Sequence, residues 1–377
     1  MAAILPGATI GILGGGQLGR MTALAARELG YGVAVLDPDP DCAARGVADR
    51  VVIGAFDDPA AAAELARGAA VVTYEIEKIA VASLDAVREH APLRPSPSVL
   101  EVVQDRAAQK HWLTAHDFPV GPWRQADSAA EVAAAVGALD GPCRAKTRQG
   151  GYDGRGQAQL ASASDATAAW QVIGAKACVV ERELDLAAEL SVLVARRPSG
   201  DCVVYPPARN WHVDGILDVS VMPGELPVDA VVTAMRHSEA MATAFGLEGV
   251  LAVEWFLTRS GEVLVNELAP RPHNTFHATQ NACVTSQFEQ FVRAVCDLPL
   301  GSVEVVRPTA LANLLGDLWL GSRQPAIERA LAIPGVRLHL YGKAPRKNRK
   351  IGHLLAVADT PDQAVERVRE ARRVLGG

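Results

Sequence analysis

The chain has no Cys-x-x-C pair. Its six cysteines, Cys42, Cys143, Cys178, Cys202, Cys283 and Cys296, stand far apart, which argues against a zinc ribbon or dithiol centre and reads as reduced, mostly buried small hydrophobes. Aromatic residues are scarce at 5%, and none interleaves with a basic run to form a stacking platform for nucleic acid. Cationic excess is also lacking: 37 Lys and Arg meet 43 Asp and Glu, for a net charge of -6. That balance speaks against a nucleic-acid or membrane partner. No run approaches the ~18 to 20 apolar residues of a membrane span. Met1 to Leu13 carries no cationic leader, and the expected location is cytoplasmic.

What remains is a globular composition, 49% hydrophobic and 21% charged over 377 residues, which is too long for one core and implies two or three domains. The first hundred residues alternate short apolar runs with helical periodicity: Thr9 to Leu13, a helix through Ala25, Val33 to Leu36, Val51 to Ile53 and Ala69 to Tyr74. That is the βαβ rhythm of a parallel sheet. A Pro-rich step from Pro92 to Pro97 breaks it and reads as a boundary or linker. From about Val120 to Pro299 longer, paired apolar segments predict antiparallel strands. Val253 to Leu257 and Val263 to Val265 form a hairpin across Thr258–Gly261. Beyond Gly301, strands are expected at Ala310–Leu314, Val336–Tyr341 and His353–Val357. A last helix follows, with Thr360 as N-cap, Pro361 at its first position and Gln363 as the capping-box partner.

Four stretches can carry chemistry. Gly14-Gly15-Gly16-Gln17-Leu18-Gly19 follows a strand, opens a helix and fits G-x-G-x-x-G, with Asp37 closing the second strand; this reads as a phosphate cradle whose ligand the pattern does not name. Lys146 precedes a glycine-rich loop, Gly150 to Gln157, that interleaves Tyr152, Asp153 and Arg155 and can fold over phosphates. Glu254 and Glu267, one on each hairpin arm, with Asn266 adjacent, would repel unless a cation lay between them; magnesium suits such oxygen ligands. Arg271, His273 and Asn274 follow on a proline-stiffened loop, a clamp for an anionic group. Lys343 to Lys350, KAPRKNRK, puts five cations in eight residues and reads as a solvated face or a site for a phosphorylated substrate.

Together these blocks resemble the ATP-grasp superfamily, and within it the N5-carboxyaminoimidazole ribonucleotide synthetases. The likeness runs from GILGGGQLGRM through VVTYE, QDR, GGYDGRGQ, ELSVLVAR, NWHVDGIL and NELAPRPHN to YGK and RKIGH. The resemblance implies an α/β and α+β fold: a Rossmann-like pre-ATP-grasp domain (1–105), a two-lobed ATP-grasp domain (106–299) and a small C-terminal domain (300–377), assembled as a homodimer. It implies an enzyme using ATP and Mg2+ to make carboxyphosphate from bicarbonate and to deliver the carboxyl group to 5-aminoimidazole ribonucleotide in purine biosynthesis.

Carried over to this sequence, Arg106 and Lys146 look like nucleotide-phosphate ligands, with Gly151, Gly154, Gly156 and Gln157 in the lid above them. Glu181, Leu184, Glu189 and His212 look like the adenosine side, and Glu254 and Glu267 like the metal ligands beside Asn266. Tyr152, Asp153, Arg155, Arg271, His273 and Asn274 look like the bicarbonate and aminoimidazole site, Arg271 stabilising the transferring phosphate. Gly16, Gln17, Glu75, Lys343, Arg349 and Lys350 look like ribonucleotide contacts, the glycine turn holding its phosphate. The family's pattern is departed from at Ile76, Lys78, Arg144, Arg209 and Phe276. Two other readings stay open: another ATP-grasp ligase, such as the formate-dependent glycinamide ribonucleotide transformylase, and a non-catalytic nucleotide- or dinucleotide-binding protein.

Overall fold

The computed structural model describes residues 2–151, 156–321 and 324–376; Tyr152, Asp153, Gly154 and Arg155 lie outside the described residues. The βαβ rhythm builds a parallel sheet. Strands β1 (Thr9–Leu13), β2 (Gly32–Asp37), β3 (Arg50–Ile53) and β4 (Val71–Tyr74) pair in the order β3-β2-β1-β4. Helices α1 (Gln17–Glu28) and α2 (Pro59–Ala66) connect β1 to β2 and β3 to β4, and α3 (Val81–Arg88) follows β4. The Pro-rich step is not a free linker. Val72 N–H donates to the Pro92 carbonyl at 2.8 Å and Arg94 N–H to the Val72 carbonyl at 2.9 Å, so the segment lines the sheet beyond β4 before Pro97 opens α4 (Pro97–Gln104). Prolines are tolerated at such an edge because the residues between them still supply the N–H groups.

After α5 (Arg106–Ala115) comes a small lobe of β5 (Trp123–Ala126), α6 (Ala129–Leu139), β6 (Cys143–Thr147), β7 (Gln157–Leu160), α7 (Ala166–Val172) and β8 (Cys178–Arg182). Its antiparallel sheet runs β5-β8-β6-β7. Strict alternation along β6 buries Cys143, Ala145 and Thr147 and turns Arg144 and Lys146 the other way.

The larger sheet contains β9 (Leu186–Arg196), β10 (Cys202–Val204), β11 (Ala208–Val213), β12 (Ile216–Met222), then, after α8 (Val228–Ala244), β13 (Gly249–Thr258) and β14 (Val263–Ala269). Helices α9 (Thr279–Ala282) and α10 (Gln287–Val295) precede β15 (Thr309–Leu315); α11 (Ile327–Leu331), β16 (Val336–Leu340), β17 (Lys350–Val357) and α12 (Pro361–Gly376) complete the chain. The nine strands form one sheet in the order β14-β13-β9-β11-β12-β15-β17-β16, with β10 on β9. Its last three strands join through the β12–β15 pairing, Val219 opposite Ala312 and Val221 opposite Ala310. Ala234 and Met241 of α8 bury Val192, Leu251 and Trp255 on one face. On the other, Phe291 and Val292 of α10 share a core with Leu193, Val250 and Ala252 that reaches Ile10 and Ile12 of the parallel sheet. The hairpin turn closes as expected, Thr258 N–H donating to the Glu262 carbonyl at 2.9 Å. Gln363 N–H reaches Thr360 Oγ1 at 3.3 Å, capping α12, whose Ala364, Val365, Val368, Ala371 and Leu375 stripe is buried.

Candidate active site

Glu254 on β13 stands directly opposite Glu267 on β14, but the next pair is Trp255 with Val265, so Asn266 is an extra residue in a β-bulge. The consequence is specific. Val265 and Leu268 both bury against α8, while the two residues between them, Asn266 and Glu267, both remain available to the cleft. Asn266 Nδ2 donates to Glu254 Oε2 at 3.2 Å. Burial first, then the negative charge of Glu267, push the Glu254 carboxyl up to about 7; His212 pulls the other way. Glu267 moves down despite burial, because Arg106 and Lys146 face it.

These cations come from separate elements. Arg106 opens α5, whose N-cap Asp105 accepts from Ala107 and Ala108 N–H at 2.8 and 3.1 Å and pairs with Arg148 at 2.8 Å. The cap therefore ties the start of α5 to the residue just after β6. Arg106 Nη1 lies 3.0 Å from Glu267 Oε2. Lys146 reaches Asn266 Oδ1 at 3.5 Å and Glu181 at 2.5 Å, and Lys110 takes the other Glu181 oxygen at 2.9 Å. Burial alone would raise the Glu181 carboxyl, but the two lysines overcome it and hold the acid well below the usual range. Burial lowers Lys146. A buried acid between two lysines is costly to break, roughly 3 to 5 kcal/mol for loss of one partner. Arg106, Lys146, Glu181, Glu254, Asn266 and Glu267 are thus one connected cluster.

Along the same wall, His212 Nδ1 lies 2.8 Å from Glu189 Oε2. A bulge between Trp211 and His212 interrupts the β11–β12 pairing there. Burial lowers the imidazole, yet the bond to Glu189 and the nearby Glu254 raise it overall. Leu184 lies in the connection from β8 to β9, which joins the two lobes. At the lid, Gln157 pairs with Lys146 across β6 and β7. Gly156 has φ +69, and a Cβ there would sit 2.6 Å from Thr147 Oγ1, so the loop's return to β7 requires glycine. Gly151 is its last described residue before that stretch.

The loop after β14 supplies the clamp. Arg271 Nε pairs with Glu77 Oε1 at 2.8 Å; burial lowers its guanidinium, and Glu77, Glu75 and Glu267 raise it on balance. His273 Nε2 is 3.7 Å from Glu254 Oε1 and its Nδ1 is 2.9 Å from Thr275 Oγ1. Burial, followed by Arg271, Lys350 and His212, drives this imidazole well below its ordinary value, so it is neutral at pH 7. Asn274 is buried with neither side-chain polar atom satisfied among the described residues, and the Tyr74 hydroxyl is likewise buried without a partner among them.

The glycine turn differs from expectation. Gly15 N–H donates to Asp37 Oδ2 and Gly16 N–H to Glu75 Oε1, both at 2.7 Å. The two amides offered to a phosphate instead hold carboxylates, because the side chains at the ends of β2 and β4 converge on the turn. Asp37 Oδ1 also accepts from Asp39 N–H at 2.9 Å. The positive charge comes from elsewhere: Lys343, 326 residues away in sequence, donates to Gln17 Oε1. Burial lowers Lys343, with Glu75 opposing. Burial raises Glu75, while Gly16 N–H and Lys343 oppose it. Arg349 Nη1 donates to the Ala344 carbonyl at 3.2 Å and contributes repulsion at Lys343; Lys350 begins β17 and lowers both His273 and His212. Arg346 and Lys347, from the same basic run, are exposed.

Sequence reasoning gave no role to several partners of these residues. Glu77, Lys110 and Gln287 had no motif to announce them, although Glu77 stands two residues after Glu75 and Lys110 four after Arg106. Of the departures from the family pattern, Arg144 pairs with Glu183 at 3.0 Å, Arg209 covers the Trp211 ring at 5.1 Å and Phe276 is fully buried.

Residues 7–104 match the ribonucleotide synthetase preATP-grasp domain, 111–288 the ATP-grasp domain and 309–367 the phosphoribosylaminoimidazole carboxylase C-terminal domain. The chain is similar to the N5-carboxyaminoimidazole ribonucleotide synthase of Brucella melitensis, 42% identical across 93% of this chain and 97% of that one. It is also similar to that of Bacillus subtilis, 37% identical across 97% and 95%. A solved ADP complex of an N5-carboxyaminoimidazole ribonucleotide synthetase superimposes with a TM-score of 0.93 at 40% identity, covering 98% of this chain and 97% of that chain. The Aspergillus clavatus synthase in complex with ADP and 5-aminoimidazole ribonucleotide gives 0.90 at 29% identity, covering 97% and 98%. With such identity along nearly the whole of both chains, this protein belongs to the N5-carboxyaminoimidazole ribonucleotide synthase family of ATP-grasp enzymes.

Proposed function

We propose that the chain carboxylates 5-aminoimidazole ribonucleotide at the expense of ATP in purine biosynthesis, with bicarbonate as the carbon source. A bicarbonate oxygen takes the γ-phosphoryl group, giving carboxyphosphate and ADP. The substrate amine then forms the new N–C bond as the phosphate leaves, directly or through released carbon dioxide. The observation that carries this reading is the convergence of three cations from separate elements on one cleft: Lys343 on Gln17, Arg271 on Glu77 at 2.8 Å and Arg106 on Glu267 at 3.0 Å. Such a set of cations suits two anionic substrates meeting at one point.

In this reading Arg106 and Lys146 neutralise nucleotide phosphates, and Glu181, Leu184, Glu189 and His212 hold the adenosine side. Gly151, Gly154, Gly156 and Gln157 form the lid. Glu254 and Glu267, with Asn266 beside them, are the ligands for Mg2+, whose fit is supported by the like-charge pair that raises Glu254. Among the described residues no cluster of three or more His, Cys, Asp or Glu forms a metal site alone. When bound, the ion screens phosphate charge. Arg271 bears on the transferring phosphoryl group. Neutral His273 and Asn274, together with Tyr152, Asp153 and Arg155, orient bicarbonate and the amine, and the imidazole can accept the amine proton. Gln17, Lys343, Arg349 and Lys350 bind the ribonucleotide, and Glu75, holding the Gly16 N–H, shapes the turn beside it. The divisions at 105/106 and 299/300, a homodimer and a cytoplasmic location belong to the same proposal. Among the described residues no helix is long and apolar enough to cross a membrane.

A coupled ADP-release assay tests it. Turnover is expected with bicarbonate plus 5-aminoimidazole ribonucleotide, falling more than about 10²-fold in Glu267→Gln. Turnover only with formate plus glycinamide ribonucleotide would reassign the chemistry.

A further inference from the structure

Gln287, the first residue of α10, is fully buried and is not among the substrate contacts assigned above. Its side-chain amide nevertheless grips the backbone of His273. Oε1 accepts from His273 N–H at 2.8 Å, and Nε2 donates to the His273 carbonyl at 2.9 Å. This two-point contact copies a β-bridge, using a side chain where the loop has no neighbouring strand. Nε2 also lies 3.1 Å from His277 Nδ1, which makes that nitrogen the acceptor and leaves the ring proton on Nε2. The grip is itself fixed. Gln287 N–H donates to Thr279 Oγ1 at 2.9 Å, and that hydroxyl donates to the Phe276 carbonyl at 2.6 Å. His277 stacks on His353 at 4.6 Å between centroids, and His353 Nδ1 lies 2.6 Å from the Tyr341 hydroxyl. The far side of the grip therefore rests on β17 and on the strand end that leads to Lys343.

We propose that Gln287 is a positioning residue for carboxyl transfer: it sets the backbone of His273 so that the imidazole stands beside Glu254 when the substrates meet. The inference rests on the role assigned above to His273. No other side chain forms a hydrogen bond to the His273 backbone among the described residues. Rigid placement matters here because a shift of about 1 Å can cost about 10²-fold in rate.

The test compares Gln287→Met, which keeps length but loses all three hydrogen bonds, with Gln287→Glu, which keeps the acceptor for His273 N–H and loses the donors. Both are assayed well below their melting temperatures, with His273→Ala and the double variant H273A/Q287M alongside. Expected for Gln287→Met is a fall in kcat of about 10²-fold with the KM for ATP unchanged. A smaller fall is expected for Gln287→Glu, which also serves if the methionine variant does not fold. In the His273→Ala background Gln287→Met should have almost no further effect on kcat, since the side chain it positions is gone. An equal factor in both backgrounds would mean that Gln287 only supports the fold, and wild-type kcat in both Gln287 variants would overturn the proposal directly. Undiminished kcat in His273→Ala would instead remove the role of His273, and the proposal with it.

Discussion

Glu254 is the acid whose charge state the proposed Mg-ATP site depends on. Burial and the facing Glu267 raise it to about 7, far above the ordinary glutamate value of about 4.3. The sign follows from linkage: a carboxyl raised on folding contributes stability at low pH, and that contribution is lost as the pH climbs through about 7. A divalent cation at the pair favours the ionised form. Mg-ATP binding at pH 6 should therefore release close to one proton, and at pH 8.5 almost none. Calorimetry in two buffers of different ionisation enthalpy reads this number. Equal heats in both buffers at pH 6 would show that Glu254 is already ionised. Arg106 limits the effect to one acid, since its contact with Glu267 keeps that partner charged.

At the scale of the element, what the sequence disclosed depended on the range of the forces involved. Periodicity and turn chemistry are local, so β1 to β4, the β13–β14 hairpin and the Thr360-capped α12 could be anticipated from neighbouring residues. The bulge at Asn266 could not: it shows only when Val265 and Leu268 are seen to bury on the same face. The fate of the glycine turn was equally hidden, because Asp37 and Glu75 reach it from the ends of two different strands. Its third glycine does keep the role its spacing gives it. A Cβ on Gly19 would lie 2.3 Å from the Gly14 carbonyl oxygen, a backbone atom that cannot yield without moving α1 from β1. Gly19→Ala should cost roughly 1 to 3 kcal/mol and lower the melting temperature by several degrees. Because α1 also carries Gln17, the KM for 5-aminoimidazole ribonucleotide should rise while that for ATP stays constant. Scanning calorimetry with steady-state kinetics checks both, and an unchanged melting point would mean that the turn adapts freely.

In the whole molecule, three regions of chain meet at one cleft without a shared motif. The parallel sheet brings Glu75 and Glu77, the large sheet brings Glu254, Glu267 and the Arg271 loop, and the segment between β16 and β17 brings Lys343. The β12–β15 pairing makes this last contribution rigid, since β15 and β17 extend the sheet that carries the hairpin. Lys343 is the farthest point of that extension. Burial works against its charge and Glu75 supports it, so the ammonium is held ready for an anion beside Gln17. A hydrogen bond to a charged group contributes about 1.5 to 3 kcal/mol. Lys343→Ala should accordingly raise the KM for 5-aminoimidazole ribonucleotide about 10- to 100-fold. The KM for ATP should hold, because Arg106, Lys146 and the glutamate pair do not touch Lys343. Lys343→Arg, which keeps the charge but not the compact ammonium, should recover part of the loss. Unchanged kinetics in Lys343→Ala would reduce the contact with Gln17 to a strap between the first and last thirds of the chain, and a matched rise in both KM values would mean that the strap shapes the entire cleft.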